Sequence, residues 1–203
     1  MSEHSKVVDL SVVDETVVAD GRRMRSERSR DAIIEAALQL VQEGILVPTA
    51  QQIADRAGVA MRTFFRHFES MESLAAAVDE HTRDSYESMF TLNERQGALD
   101  ERVKKAVQHR AHAYEQVKNV ILSTKAQLWR SDVLAKNYAR DQRKLRRDME
   151  GWLPELKSLP REKREAVDAI TAFEMWHRLR SHQGLSKKVS IEIVVGLIKN
   201  LIQ

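Results

Sequence analysis

The chain has 203 residues, of which 42% are hydrophobic and 31% charged, with a formal net charge of +3 and a sequence pI near 9.2. The low content of glycine (7 residues) and proline (3 residues) favours helices. The absence of cysteine excludes disulfides and thiolate chemistry. No apolar run approaches the length that spans a bilayer and no secretory signal is visible, so we expect a cytoplasmic protein. The mildly basic balance permits a nucleic-acid partner but does not demand one.

The N-terminal segment is predicted to contain a tail and a basic arm. Residues 1–21 are polar, and their paired valines form no continuous helical face, so we predict a disordered tail. The next stretch has one acid, Glu27, and five arginines: Arg22, Arg23, Arg25, Arg28 and Arg30. Two interpretations remain open: a solvated arm that aids solubility, or an arm that follows a DNA backbone or enters a minor groove.

Two helices are predicted directly after the arm. From Ser29, apolar residues recur at the spacing of one helical face, and Gly44 is suited to the left-handed position that ends such a helix. Thr49 is a typical N-cap for a second helix, which ends at Gly58 after about two turns.

A third helix is predicted to begin near Ala60. Either Ser70 with Ser73, or Glu69 with Glu72 beside it, marks the start of a fourth. Two short helices joined by a tight glycine turn form a helix-turn-helix pattern. Its second helix must lock onto its neighbours with one side and meet DNA with the other. Phe64 and Phe68, at i and i+4, are predicted to pack inward.

The outer side of the third helix is predicted to meet an anionic partner. Met61, Arg62, Phe65 and Arg66 fall on its outer or end-on faces. Arg62 and Arg66 are neighbours at i and i+4, so the two cations repel each other unless an anion lies between them.

From about Ser29 to Val78 the sequence resembles the DNA-binding domain of the TetR family of bacterial transcriptional regulators. The stretches IIEAALQLVQEG, TAQQIADRAGV, TFFRHFES and MESLAAAV carry the resemblance, in the family's order and spacing. RLRSHQGLS, from Arg178 to Ser186, also resembles the end of the penultimate helix in many actinobacterial members. The resemblance implies an all-α protein with a three-helix helix-turn-helix domain, which with the arm covers residues 22–78, and a larger helical ligand-binding and dimerisation domain over 79–203.

The resemblance also implies DNA contacts for individual residues. Thr49 and His67 would contact phosphates, Gln51 would face the groove edge, and Arg66 would be the best direct reader, because arginine pairs bidentately with guanine. The remaining implied contacts are the front of the recognition helix (Met61, Arg62 and Thr63) and the arm arginines (Arg22, Arg23 and Arg25).

Two positions depart from the family's pattern. Phe65 stands where the family usually has a tyrosine whose hydroxyl bonds a phosphate, and Met71 stands where it usually has a lysine. Both changes remove contacts to the DNA backbone, for which Arg62 and the basic arm could compensate.

The C-terminal part is predicted to form further helices: one over residues 97–120, a shorter and a longer one up to about Pro154, one from Pro160 to Gly184, and a last one from Lys187. The family resemblance implies a small effector, often apolar, in this domain. Large side chains at helical spacing are candidates to contact it, although each fits core packing as well. They are Tyr114, Leu128, Trp129, Met149, Trp152, Phe173, Met175 and Trp176.

Two helices near the C-terminus are predicted to form a dimer interface. The last helix is apolar at Ile191, Val194, Val195, Ile198 and Leu201, and Phe173 lies on the preceding one. Two such helices from each chain would make a four-helix interface, although packing within one chain competes as an explanation.

Other chemistry is weakly supported. His109 and His112 share a helix face, but no cysteine or clustered carboxylate completes a metal site, and we predict neither a metal nor a cofactor. Neither a glycine-rich phosphate loop nor a nucleophile elbow supports an enzyme. A helical adaptor that binds protein is disfavoured by the arginines of the third helix.

The sequence therefore predicts a DNA-binding repressor that binds a palindromic operator as a homodimer and is released by a small apolar effector. An activator or an effector-independent regulator remains the alternative.

Overall fold

The computed structural model describes the backbone of residues 11–91 and 95–202 and the side chains of 23–91 and 95–202. All regular structure in these ranges is helical. The α-helices are α1 (Ser11–Gln42), α2 (Ala50–Ala57), α3 (Met61–His67), α4 (Met71–Phe90), α5 (Leu99–Lys125), α6 (Asp132–Trp152), α7 (Arg161–Thr171), α8 (Phe173–His177) and α9 (Lys187–Ile202). Short 3-10 turns lie at Leu128–Arg130 and Pro154–Ser158, and a π-helical turn at Arg178–His182.

The chain divides into two compact units, residues 1–78 and 79–203. In the first unit, α1, α2, α3 and the start of α4 enclose one apolar core, in which Ile33, Ile34, Ile53, Ala54 and Phe64 are fully buried. This core holds α3 in place by its apolar side, so the other side of α3 is available to a partner.

The beginning of α1 differs from the sequence-based expectation. The helix begins at Ser11, so residues 11–21 have helical backbone where the sequence predicts a tail. Residues 1–10 of that predicted tail lie outside the described residues. The arm, residues 22–30, is likewise part of α1 and not an extended segment.

The second unit has two adjoining apolar clusters. Trp152, Val103, Val194 and Ile198 belong to one, in which α5, α6, α7 and α9 meet. Tyr114, Phe173 and Trp176 belong to the other, together with Phe90 and Leu145. Within the described residues, no helix is long and apolar enough to cross a membrane.

The segment from Pro160 to Gly184 is not the single helix that the sequence predicts. α7 ends at Thr171, and Ala172 takes an extended conformation (φ −71°, ψ 158°) before α8 begins. The Thr171 hydroxyl donates to the carbonyl oxygen of Val167 at 2.8 Å, a bond that is known to bend helices. The Tyr114 hydroxyl donates to the Thr171 carbonyl oxygen at 3.1 Å, which satisfies an acceptor at the break.

Candidate nucleic-acid interface and effector cavity

Local hydrogen bonds fix the start of α2. The Gln52 N–H donates to Thr49 Oγ1 (3.2 Å), and the Thr49 N–H donates to Gln52 Oε1 (2.9 Å), which makes a complete capping box. The Thr49 hydroxyl also donates to Gln52 Oε1 at 3.1 Å. Thr49 is therefore confirmed as the N-cap, and any phosphate would compete with Gln52 for its hydroxyl.

This cap can be tested separately from DNA binding. Thr49→Ala is expected to lower the free energy of unfolding by about 1 kcal/mol, because it leaves helix N–H groups without a partner. Thr49→Ser keeps the hydroxyl and is expected to retain most of that stability. Urea unfolding followed by circular dichroism measures both variants, and equal midpoints would contradict the capping role.

The turn between α2 and α3 depends on Gly58. Its φ of 65° lies in the left-handed region, which a residue without Cβ adopts most easily. The Gly58 N–H donates to Asp55 O (3.2 Å) and the Val59 N–H to Ala54 O (3.0 Å), the two bonds of a Schellman motif. Gln51 Nε2 donates to Asp55 Oδ1 (2.7 Å) on the exposed side of α2.

An ion pair joins the end of α1 to α2. The Arg56 guanidinium donates to both Glu43 carboxylate oxygens, at 2.7 and 2.8 Å. This hydrogen bonding lowers the pKa of Glu43. Because both side chains are well exposed, we assign the pair a positioning role and little stability.

The two sides of α3 differ as the sequence predicts. Phe64 is fully buried, and Phe68, just after the helix, is 3% exposed. Phe65 is 49% exposed, and its ring lies edge-on to that of Phe64, with centroids 5.2 Å apart. The inward prediction for Phe64 and Phe68 is therefore confirmed.

Cations lie beside this exposed ring. Arg62 and Arg66 are exposed on the same helix, and no salt bridge neutralises either of them in the described part of the chain. Met61 and Thr63 are half-buried at the front of α3. No side-chain hydrogen bond caps the start of α3 at Ala60.

His67 lies differently from the arginines. It is half-buried, and its Nε2 is buried without a hydrogen-bond partner. Desolvation, with Arg66 and Arg30 nearby, lowers the pKa of His67. In the free protein His67 is therefore uncharged at neutral pH.

The arm arginines are presented by the helix α1. Arg23 pairs with Glu27 at 3.1 Å, an exposed i, i+4 pair, and the Arg30 guanidinium lies 5.4 Å from the centre of the Phe68 ring. Arg25 is exposed, while the side chain of Arg22 lies outside the described residues. Sequence reasoning missed the contact between Arg30 and Phe68, which only the packing of α1 against α3 creates.

The N-terminus of α4 shows the surroundings of Met71, one of the two positions that depart from the family's pattern. Ser70 and Ser73 exchange hydrogen bonds between N–H and hydroxyl groups (3.1 and 3.2 Å), which confirms the predicted helix start. Met71 is half-buried against the core of the first unit. The methionine thus adds apolar packing at the position where the family usually has a lysine.

In the second unit, a cavity of about 20 Å³ lies between α5, α6, α7, α8 and α9. Its wall includes three of the predicted effector contacts, Tyr114, Met149 and Trp176. Burial raises the pKa of Tyr114 to about 12, so its hydroxyl stays a donor. A second cavity, of about 70 Å³, lies beside Tyr86 and Leu145. The first has room for about one water molecule, so an effector would have to widen it.

The other predicted effector contacts lie elsewhere. Trp129 is 83% exposed, which corrects the prediction that its ring lines a pocket. Trp152 and Phe173 are buried in the two core clusters and are not part of this cavity wall, so they act first as core residues. No group of three or more potential metal ligands occurs among the described residues, and His112 is exposed while His109 is half-buried.

The predicted dimer residues also divide into two groups. Val194 (4% exposed) and Ile198 (0%) are buried in the chain's own core, as is Phe173, so the assignment of these three to an interface is corrected. Ile191, Val195 and Leu201 are half-buried. The exposed apolar residues of α9 are Val189 and Leu197, on a face that also carries Ile193 and Gly196.

The geometry of the first unit defines a helix-turn-helix DNA-binding domain, with α2 as its first helix and α3 as its recognition helix. Residues 33–78 match the family model described as bacterial regulatory proteins, tetR family. This segment therefore matches the DNA-binding domain of the TetR family, a family of transcriptional regulators and not of enzymes, and the resemblance seen in the sequence is confirmed for residues 33–78.

Known proteins extend this comparison. The HTH-type transcriptional regulator TcmR of Streptomyces glaucescens is 42% identical over 64 residues, which are 29% of this chain and only 28% of TcmR. A transcriptional regulator from Rhodococcus sp. Rha1 aligns with a TM-score of 0.65 at 16% identity, covering 88% of this chain and 96% of its own. The multidrug binding protein EbrR, solved with imidazole, aligns with a TM-score of 0.58 at 15% identity, covering 86% and 94%. These solved structures share the all-helical fold over most of the chain.

Proposed function

We propose that this protein is a transcriptional regulator that binds a specific DNA duplex through the helix-turn-helix of its first unit. The observation that carries the proposal is the division of α3, whose core side is fixed by Phe64 while Arg62, Phe65 and Arg66 face solvent. Exposed cations on a helix that fits a major groove suit phosphates and base edges.

The proposed contacts have separate tasks. Arg66 reads a base edge, Arg62 meets a phosphate, and Phe65 makes apolar contact with a sugar or a thymine methyl group. Further contacts come from the surrounding surface: Thr49, Gln51, Met61, Thr63 and His67, and the arm residues Arg22, Arg23 and Arg25. The arm arginines supply charge attraction and no base reading.

We propose a homodimer that uses the face of α9 on which Val189 and Leu197 are exposed and Ile193 and Gly196 are half-buried. A methyl group placed on Gly196 would meet nothing within 4 Å, so packing within the chain does not require glycine there. A glycine on an apolar helix surface allows another helix to approach closely. Leu201 lies at the border of this face, whereas Ile191 and Val195 lie on roughly the opposite side of α9, where they pack against the chain's own core.

The dimer proposal predicts a mass change. Leu197→Glu is expected to give the monomer mass in light scattering, because the interface would have to bury a charge. Lys188→Glu is the control: nine residues away, it places a glutamate half a turn round the same helix. A Leu197→Glu variant that keeps twice the monomer mass would contradict this interface.

A two-fold dimer would bind a palindrome whose half-sites lie about one helical turn apart. Repression by occlusion of such an operator is the proposed mode, with release by a small effector that enters the second unit. The cavity beside Tyr114, Met149 and Trp176 supports this effector site. The known binding of ligands by EbrR, which shares the fold, agrees with it.

Selection of bound sequences from a random duplex library tests the central proposal. We expect a palindrome to be enriched, with an affinity that falls steeply as salt is raised, because phosphate contacts release counterions. Uniform weak binding with no enriched sequence would contradict a sequence-specific regulator. Salt-insensitive binding to a protein would favour an adaptor.

A further inference from the structure

The wall of the effector cavity contains one charged side chain, Arg110. The wall is largely apolar and includes Val107, Ile170, Trp176 and Val194, but Arg110 of α5 also lines it. Arg110 is only 5% exposed. A buried guanidinium is costly unless anions or several acceptors surround it, so its partners decide what the cavity can accept.

The two shortest polar contacts of Arg110 go to neutral groups. Its Nη1 donates to Thr171 Oγ1 at 3.2 Å, and its Nη2 donates to the carbonyl oxygen of Leu145 at 2.5 Å. The closest carboxylate oxygen, Asp148 Oδ2, lies 3.6 Å from Nη2, beyond the usual range of a direct hydrogen bond. Asp148 is thus the ion-pair partner of Arg110, at a longer distance than its own contact with Arg95.

The nearby carboxylates are already engaged by other cations. Asp148 Oδ1 accepts from Arg95 at 2.6 Å, so one carboxylate serves two guanidinium groups. Asp168, which also feels the charge of Arg110, lies 3.9 Å from Arg146. His109 adds a third basic group beside Asp148.

We propose that the effector cavity takes a small carboxylate with an apolar body, held by Arg110. The inference rests on the proposed regulatory function, whose effector class it names. The carboxylate would accept two N–H bonds from the guanidinium, and the apolar body would lie against Met149, Ile170 and Trp176.

Binding of a carboxylate at Arg110 would also change the junction between α7 and α8. Arg110 and the Tyr114 hydroxyl both bond Thr171, the last residue of α7 before the break at Ala172. A carboxylate that takes these donors removes two hydrogen bonds from the junction between α7 and α8. The cavity, about 20 Å³ when closed, can then widen at that junction.

Calorimetric titration of the full chain with decanoate, decanol and decylamine tests the inference. We expect decanoate to bind at least about tenfold more tightly than decanol, with decylamine weakest, because only the carboxylate gains the charge-assisted bonds. Arg110→Gln is expected to abolish the preference for decanoate while decanol binding stays unchanged. Lys105→Gln, which removes an exposed charge from the same helix, is the matched control and should keep the preference.

Each other result contradicts the proposal. Equal binding of the three probes, preference for the amine, no binding of any probe, or an Arg110→Gln variant that keeps the preference would each overturn it. If Arg110→Gln does not fold, the ranking of probes by the unaltered chain decides alone. DNA binding by the ligand-free chain is measured separately, so a failed regulator and a failed carboxylate site give different results.

Discussion

Arg66→Ala is expected to weaken binding to the selected operator by about 1–3 kcal/mol, or roughly 5- to 150-fold in Kd, if Arg66 reads a guanine. Arg66 is exposed on α3, and the core beneath it does not depend on its side chain. The loss should therefore appear in specific binding and leave the unfolding midpoint unchanged. Fluorescence anisotropy with the selected duplex and with a scrambled duplex of equal length measures both affinities.

The control for Arg66→Ala must remove the same charge elsewhere. Arg161→Ala does so at a side chain that is 85% exposed in the second unit, and we expect operator affinity to stay within about twofold of the wild type. A guanine-to-adenine change in the operator should weaken wild-type binding but not binding by Arg66→Ala. If Arg66→Ala lost the same affinity for the selected duplex as for the scrambled duplex, Arg66 would contact a phosphate and not a base.

The helix-turn-helix could be predicted because its signals are local. Thr49 caps α2 through a residue three positions on, Gly58 supplies the left-handed conformation, and Ser70 bonds Ser73. Each signal needs only a few neighbouring residues, so the sequence contains it completely. The paired valines before Gly21 carry no comparable signal, and the helix through residues 11–21 was missed.

The second unit was predicted less well because its helix ends depend on distant contacts. Neither glycine nor proline stands at Ala172, and the break there follows from Thr171, which bonds Tyr114 and Arg110 of another helix. α5 continues to Lys125 since no local breaker stops it, where the sequence predicts a new helix. The burial of Arg110 could not be predicted either, because an arginine in a charged stretch is expected to lie on the surface.

Helical spacing also failed to separate core from interface on α9. Val194 and Ile198 have the same spacing and chemistry as Val189, Ile193 and Leu197, yet only the first two are buried. Periodicity shows that a helix has an apolar face, but an element with two apolar faces needs the positions of its neighbours. The sequence-based assignment of Val194 and Ile198 to a dimer interface therefore fails, because both are buried in the chain's own core.

The adjacent residues Phe64 and Phe65 are expected to respond in opposite ways to the same substitution. Phe64→Ala should lower the free energy of unfolding of the first unit by about 3–5 kcal/mol, because a fully buried ring leaves a cavity. That loss is a large part of the stability of a small domain. Phe65→Ala should change stability by about 0.5 kcal/mol or less, because its ring is 49% exposed. Urea unfolding measured by circular dichroism distinguishes the two.

DNA binding by Phe65→Ala then shows why two aromatic residues stand together beside arginines. We expect the folded variant to lose operator affinity, since the exposed ring supplies apolar contact where a tyrosine would bond a phosphate. Phe65→Tyr should restore that bond and bind more tightly than the wild type. Wild-type affinity in Phe65→Ala would mean that the ring does not touch DNA, and Arg62 and Arg66 would then be the exposed side chains of α3 that meet it. A stability loss in Phe65→Ala equal to that in Phe64→Ala would contradict the division of α3 into a core side and a DNA side.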